Sequence, residues 1–119
     1  MNWGLYWIKV QEFGKAERTA EEAVEILKAN HDYFGMYFAR ITLGTALIKG
    51  GKRNEGEKLL RKVTEECETY GLALQKAQAL EAIADLLGDK SVLEEAEQIY
   101  RSLGNTTRAD KIRRMMEGD

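Results

Sequence analysis

Glycine recurs through this chain at intervals of roughly fifteen to twenty residues, and proline is absent. Gly14, Gly35, Gly50, Gly51, Gly71, Gly88, Gly104 and Gly118 each follow a stretch whose apolar residues repeat at helical spacing. Glycine is the usual residue just past a helix end, because it closes the last turn in the left-handed conformation at little steric cost. The pattern predicts seven helices joined by minimal turns, and short turns force successive helices to pack antiparallel. No window alternates apolar and polar residues as a strand would.

The spacing places these helices over 2–13, 20–34, 36–49, 54–70, 72–87, 92–103 and 107–117. Thr19 with Glu22, and Ser91 with Glu94, have the form of capping boxes, in which each side chain satisfies a free backbone donor of the first turn. Asn54 with Glu57 has a similar form. Core candidates recur at three- and four-residue steps: Ala23, Ile26 and Leu27, then Leu59, Leu60 and Val63. Ala79, Leu80, Ile83 and Leu87 continue the series, followed by Ala96, Ile99, Tyr100 and Leu103.

A chain of 119 residues is one domain, 1–119, and buries roughly two-thirds of its unfolded surface without staples. Its net charge of −2 argues against a general nucleic-acid binder, which needs a basic surface for phosphates. The single cysteine, Cys67, forms no intramolecular disulfide and fits a reducing compartment. No apolar run reaches the length of a membrane span, and Met1-Asn2-Trp3 carries no basic leader, so the expected location is the cytoplasm. The richness in Glu, Lys and Arg fits a thermophilic source.

The helices also repeat in pairs. The segment 54–63 matches 94–103 at an offset of forty, and 22–28 matches 55–61 at thirty-three. A small residue recurs near the start of each second helix: Ala23, Gly56 and Ala96. Twelve residues earlier, in the first helices, stand Gln11, Gly44 and Ala84. Small residues at a constant offset let the two helices of a hairpin approach closely. That accounts for Gly44 and Gly56, which sit inside helices where glycine otherwise costs about 1 kcal/mol.

In Trp7-x-x-Val10-Gln11, Leu43-Gly44-x-x-Leu47 and Leu80-x-x-Ile83-Ala84-x-x-Leu87, each followed by its small residue, the chain resembles tetratricopeptide-repeat proteins. The likeness is divergent: the family's usual proline is missing, and Gln11 stands where a small residue is usual. The resemblance implies an all-α fold of three stacked helical hairpins, 2–34, 36–70 and 72–103, forming a short right-handed solenoid with 107–117 as a cap. It also implies a protein-binding role in which the first helix of each pair lines a concave groove. By repeat phase that groove takes Leu5, Ile8 and Glu12, then Phe38, Ile41 and Thr45, then Gln78, Glu81 and Asp85. A groove apolar at one end and acidic at the other suits a peptide or helix with apolar anchors and a basic flank.

No constellation for catalysis stands out, and the expectation is a non-enzymatic protein without metal or cofactor. His31, the only histidine, lacks partners at ligand spacing and reads as a surface or helix-terminal residue. Cys67 lies among Glu65, Glu66 and Glu68, whose charges raise a thiol's pKa, the wrong direction for a nucleophile. Those carboxylates, like Glu94, Glu95 and Glu97, diverge around a helix and read as a solvated face. Arg108, Lys111, Arg113 and Arg114 sit in the last helix, where cations complement its C-terminal dipole.

The first helix places Trp3, Trp7 and Val10 on one face and Leu5 and Ile8 on the other. An end helix of an array should be polar outside, so Trp3, Leu5, Trp7 and Ile8 point to an intermolecular contact, with a homodimer as one form. A second reading is a regulatory or ligand-sensing domain of a larger signalling system, marked by an apolar pocket ringed by Tyr33, Phe34, Tyr37 and Phe38.

Overall fold

The computed structural model describes residues 3–118 and is all-helical, with no strand among them. The helices are α1 Trp3–Lys9, α2 Phe13–Ala29, α3 Tyr33–Lys49, α4 Arg53–Tyr70, α5 Ala73–Leu87, α6 Leu93–Ser102 and α7 Thr106–Glu117. A 3₁₀ turn, Lys90–Val92, precedes α6. The expected start of the first helix at Asn2 lies outside the described residues.

One turn is used five times. Gln11, His31, Gly51, Gly71 and Gly104 each take a positive φ. The N–H of the next residue donates back five positions: Glu12 to Trp7, Asp32 to Leu27, Lys52 to Leu47, Leu72 to Cys67 and Asn105 to Tyr100, at 2.8–2.9 Å. This six-to-one closure satisfies a carbonyl that the ending helix would leave bare. The donor is at the same time the N-cap of the following helix. Asp32 and Asn105 add a side-chain cap, accepting from the N–H groups of Gly35 (2.9 Å) and Arg108 (3.0 Å).

Several sequence expectations shift as a result. The first turn is made by Gln11, so α2 begins at Phe13 and Gly14 lies in its first turn rather than ending a helix. The Thr19–Glu22 pair is then interior and caps nothing. Gly35 likewise opens α3; a side chain there would run into the Asp32 cap, its Cβ 2.8 Å from Oδ2. Asn54 lies inside α4, whose N-cap is Lys52. Ser91 is itself capped, donating its N–H to Asp89 Oδ1 at 3.0 Å, so the Ser91–Glu94 box does not form. Ile26 and Leu103, expected in the core, are exposed because they fall off the inward faces of α2 and α6.

Each helix packs on the next in sequence; in addition α1 packs on α3, and α3 on α5. The middle pair meets where Gly44 and Gly56 predict. A Cβ on Gly56 would lie 2.5 Å from Ile48 Cγ1 and 2.7 Å from the Gly44 carbonyl oxygen; one on Gly44 would lie 2.8 Å from the buried Leu60 side chain. Ala84 and Ala96 share one buried cluster with Leu80, Leu93, Tyr100 and Ile112 of α5–α7. The third small pair fails, because Gln11 is in a turn and exposed. A second cluster joins Met36, Tyr37, Val63, Cys67 and Ala79 of α3–α5. The extents are 35 × 31 × 25 Å, so the helices gather into a globule with no long axis.

Overpacking at a close contact costs about 1–3 kcal/mol, and Gly56→Ala is expected to lose that much in chemical denaturation despite its better helix propensity. Gly14→Ala, whose Cβ would meet only Arg18 Nη1 at 3.9 Å, should be neutral or stabilising. The left-handed conformation costs a non-glycine residue about 1 kcal/mol or more, so His31→Gly should raise stability by about that amount, measured the same way.

Candidate functional site

The N-terminal half contains two cavities, one on each side of the α2–α3 pair. The larger, about 880 Å³, is walled by Val24, Glu25 and Lys28 of α2, Tyr33, Phe34, Met36, Tyr37 and Arg40 of α3, Glu66 and Tyr70 of α4, and Leu72. α3 supplies most of the aromatic wall because 33, 34, 37 and 40 sit on adjoining stripes of one helix. Arg40 is the only charged residue in α3 before its terminal Lys49.

The polar floor is organised by Glu66. Its Oε1 accepts from the Tyr37 hydroxyl at 2.7 Å and from Arg40 Nη1 at 3.0 Å. Arg40 also lies over the Tyr37 ring, 5.4 Å from its centroid. Burial by itself would raise the Glu66 pKa, but the two hydrogen bonds and the Arg40 charge outweigh it and hold the carboxyl below its ordinary value. Burial, followed by the bond to Glu66, pushes the Tyr37 hydroxyl far up. Beneath the floor Cys67 is buried, and burial more than the neighbouring Glu66 charge pushes its thiol up to about 11. The neighbouring Glu66 charge acts in the direction expected from the sequence, but burial is the larger cause.

The smaller cavity, about 490 Å³, lies among α1, α2 and α3, lined by Trp3, Gly4, Thr19, Ala20, Ala23, Leu27, Gly35, Phe38, Ala39 and Thr42. No charged residue among those described lines it. Its rim continues into α1, where Trp3, Tyr6 and Trp7 form an aromatic cluster with centroids 5.0–6.3 Å apart. Trp3, Leu5 and Tyr6 of this short helix and Val10 of the turn after it are exposed, while Trp7 and Ile8 are half-buried.

The groove residues taken from the repeat phase are only partly brought together. Phe38 lines the smaller cavity beside Trp3. Ile41 instead packs on the α3–α5 core cluster, and Thr45 turns its hydroxyl back to the Ile41 carbonyl at 3.0 Å. Glu12 and Asp85 are exposed. Gln78 is half-buried, and its Oε1 is enclosed without a hydrogen-bond partner. Glu81 is not a free anion: it accepts from Tyr100, Arg108 and Lys111 at 3.0–3.2 Å. The acidic end of the groove is therefore reduced to Asp85. The aromatic ring of the second reading also divides, with Tyr33, Phe34 and Tyr37 in the larger cavity and Phe38 in the other.

Several other charged groups bind neighbouring helices. Lys76 is buried on α5 between Glu68 of α4 and Glu95 of α6, and those bonds outweigh burial and raise its pKa. Glu97 holds Arg101 and Arg113. Arg108, Lys111 and Arg113 therefore fasten α7 to α5 and α6 rather than serving its dipole. Among the described residues no three His, Cys, Asp or Glu side chains converge on one point. His31 sits at its turn, exposed, with Nδ1 3.3 Å from the Tyr33 hydroxyl. No helix is long and apolar enough to cross a membrane.

Arg40, Glu66 and Tyr70 were not singled out for a site by sequence. The one signal for them is a lone charge in the apolar α3, which demands a buried partner from a neighbouring helix. No family model, curated protein or solved structure matches the chain.

Two pH limits follow. A depressed carboxyl contributes stability that is present above its unfolded pKa and lost as pH falls through the folded value. Stability should therefore drop below about pH 4.5, and Glu66→Gln should flatten that limb. The raised Tyr37 and Tyr100 hydroxyls act oppositely: their contribution is intact below pH 10.0 and declines above it. Urea denaturation between pH 3 and pH 11 reads both limbs.

Proposed function

We propose that this chain is a non-enzymatic interaction module that holds an amphipathic helix of a protein partner along α1 and α3. The observation that carries this reading is the apolar cavity among α1, α2 and α3, lined by no charged described residue and continuous through Trp3 with the exposed apolar surface of α1. An end helix with so much apolar exposure is an interaction surface more often than a solvent face. Apolar anchors would enter beside Trp3 and Phe38. Exposed Glu12 and Asp85 favour a basic flank on the partner.

The same reading treats the helices as three divergent tetratricopeptide-like hairpins, α1 with α2, α3 with α4 and α5 with α6, closed by α7 as a short right-handed solenoid. It is supported by the series of left-handed turns at 11, 31, 51 and 71, spaced twenty apart, by the α1–α3–α5 contacts, and by the small pairs Gly44–Gly56 and Ala84–Ala96. Cytoplasmic location is part of the proposal. A second copy's α1 is the competing occupant of the same surface.

A photo-crosslinking residue at position 3 tests the site. The expected result is a discrete crosslinked protein that disappears with Phe38→Asp and persists with Phe34→Ala, which alters only the other cavity. An unchanged crosslink in Phe38→Asp would overturn the reading. Sedimentation decides the competing occupant: a dimer dissociated by Trp3→Asp assigns the surface to self-association, and a strict monomer at high concentration removes that occupant.

A further inference from the structure

The larger cavity is separate from the proposed protein-binding surface, and its chemistry is different. Its volume lies within the range of small-molecule sites, and apolar walls around a few placed polar groups are what such sites have in common. Four aromatic side chains line it, Tyr33, Phe34, Tyr37 and Tyr70. Phe34 and Tyr70 are 63% and 67% exposed, so large apolar surfaces face an opening with nothing packed on them.

The floor keeps polar atoms open to solvent in the cleft rather than tied to the protein. Both inward donors, the Tyr37 hydroxyl and Arg40 Nη1, converge on the same oxygen, Glu66 Oε1. Among the described residues no donor takes Oε2, and no acceptor takes Arg40 Nε or Nη2. A planar donor set therefore stands beside a carboxylate acceptor, each with capacity to spare. The formal charges lining the cleft cancel, Glu25 and Glu66 against Lys28 and Arg40. An anion would meet Glu66 and a cation would meet Arg40, so neither gains clearly.

We infer that this cleft is a binding site for a neutral, planar heteroaromatic molecule bearing a lactam edge. Its ring system would stack among Tyr33, Phe34 and Tyr70. Its N–H would donate to Glu66 Oε2, and its carbonyl would accept from Arg40. The aromatic walls supply affinity, and the paired donor and acceptor fix orientation.

Quinazolin-4(3H)-one is a suitable probe, followed by NMR titration of the full chain. Saturable shifts are expected at Phe34, Tyr37, Arg40 and Tyr70. N3-methylquinazolin-4-one, which keeps the ring but lacks the donor, should bind at least about tenfold more weakly, because it leaves a polar group of the site unmatched. Phe34→Ala and Tyr70→Ala change exposed side chains and should each weaken the lactam severalfold with the fold intact by circular dichroism. Absence of saturable shifts at millimolar probe would overturn the inference. So would equal binding of the methylated compound, or binding unaffected by both aromatic variants. Trp3→Asp should leave the titration unchanged, which separates this site from the protein-binding surface.

Discussion

The repeated left-handed turn is the constraint on which the architecture depends. One residue at positive φ reverses the chain, and the next closes a long-range backbone bond to the helix just finished while opening the helix to come. Each junction thus ties the end of one helix to the start of the next with two residues, satisfying carbonyls that the ending helix would leave bare. So short a connection leaves successive helices only antiparallel packing. The spacing of twenty between the first four such residues makes α2, α3 and α4 nearly equal in length, so their middles meet. Glycine was a sound guide to three of the five turns. Gln11 and His31 make the same turn without it, and there the helix starts expected from the glycines fall up to seven residues late.

That slip has a physical origin. Turn conformation depends on the residue at one position, and a glycine nearby is only a correlate. Gly14 and Gly35 lie just past the true turns, inside first helical turns. Gly35 is needed because the Asp32 cap fills the space of a Cβ, which looks in sequence like a helix stop. By contrast Gly44 and Gly56 were legible. A glycine in a helix interior carries a cost that only close backbone approach offsets, and the offset of twelve between them picks out opposite positions on two antiparallel helices.

The site was less legible, and α3 shows why. It is apolar nearly all round, as a helix covered on several sides must be, so its sequence carries little amphipathic phase. Repeat phase placed Phe38, Ile41 and Thr45 on one groove wall. In the fold Phe38 lines the smaller cavity, Ile41 packs into the α3–α5 core and Thr45 bonds its own helix. Charge carried more information than hydropathy here. Arg40 had to find a carboxylate, and Glu66 four turns along the antiparallel neighbour is the one it found. The same rule sorts the C-terminal half, where Glu81 and Glu97 are taken by α7 and cannot serve a partner.

Packing divides the molecule in a way that bears on where binding occurs. The largest fully buried side chains, among them Tyr100, Leu60, Ile83, Leu93 and Ile112, all belong to α4 and the helices after it. α2 buries only Ala16 and Ala20, and it is bounded at both ends by non-glycine left-handed turns. It is also the wall common to both cavities: Val24, Glu25 and Lys28 face one, and Thr19, Ala20, Ala23 and Leu27 face the other. Small side chains on α2, packed against α1 and α3, leave space that no described residue fills. The left-handed turns at Gln11 and His31 are held locally, by the backbone bonds from Glu12 to Trp7 and from Asp32 to Leu27. The large buried side chains thus lie from α4 onward, while the N-terminal helices leave room open on two sides of α2, one lined by apolar residues and the other by aromatic rings around a Glu66–Arg40 pair.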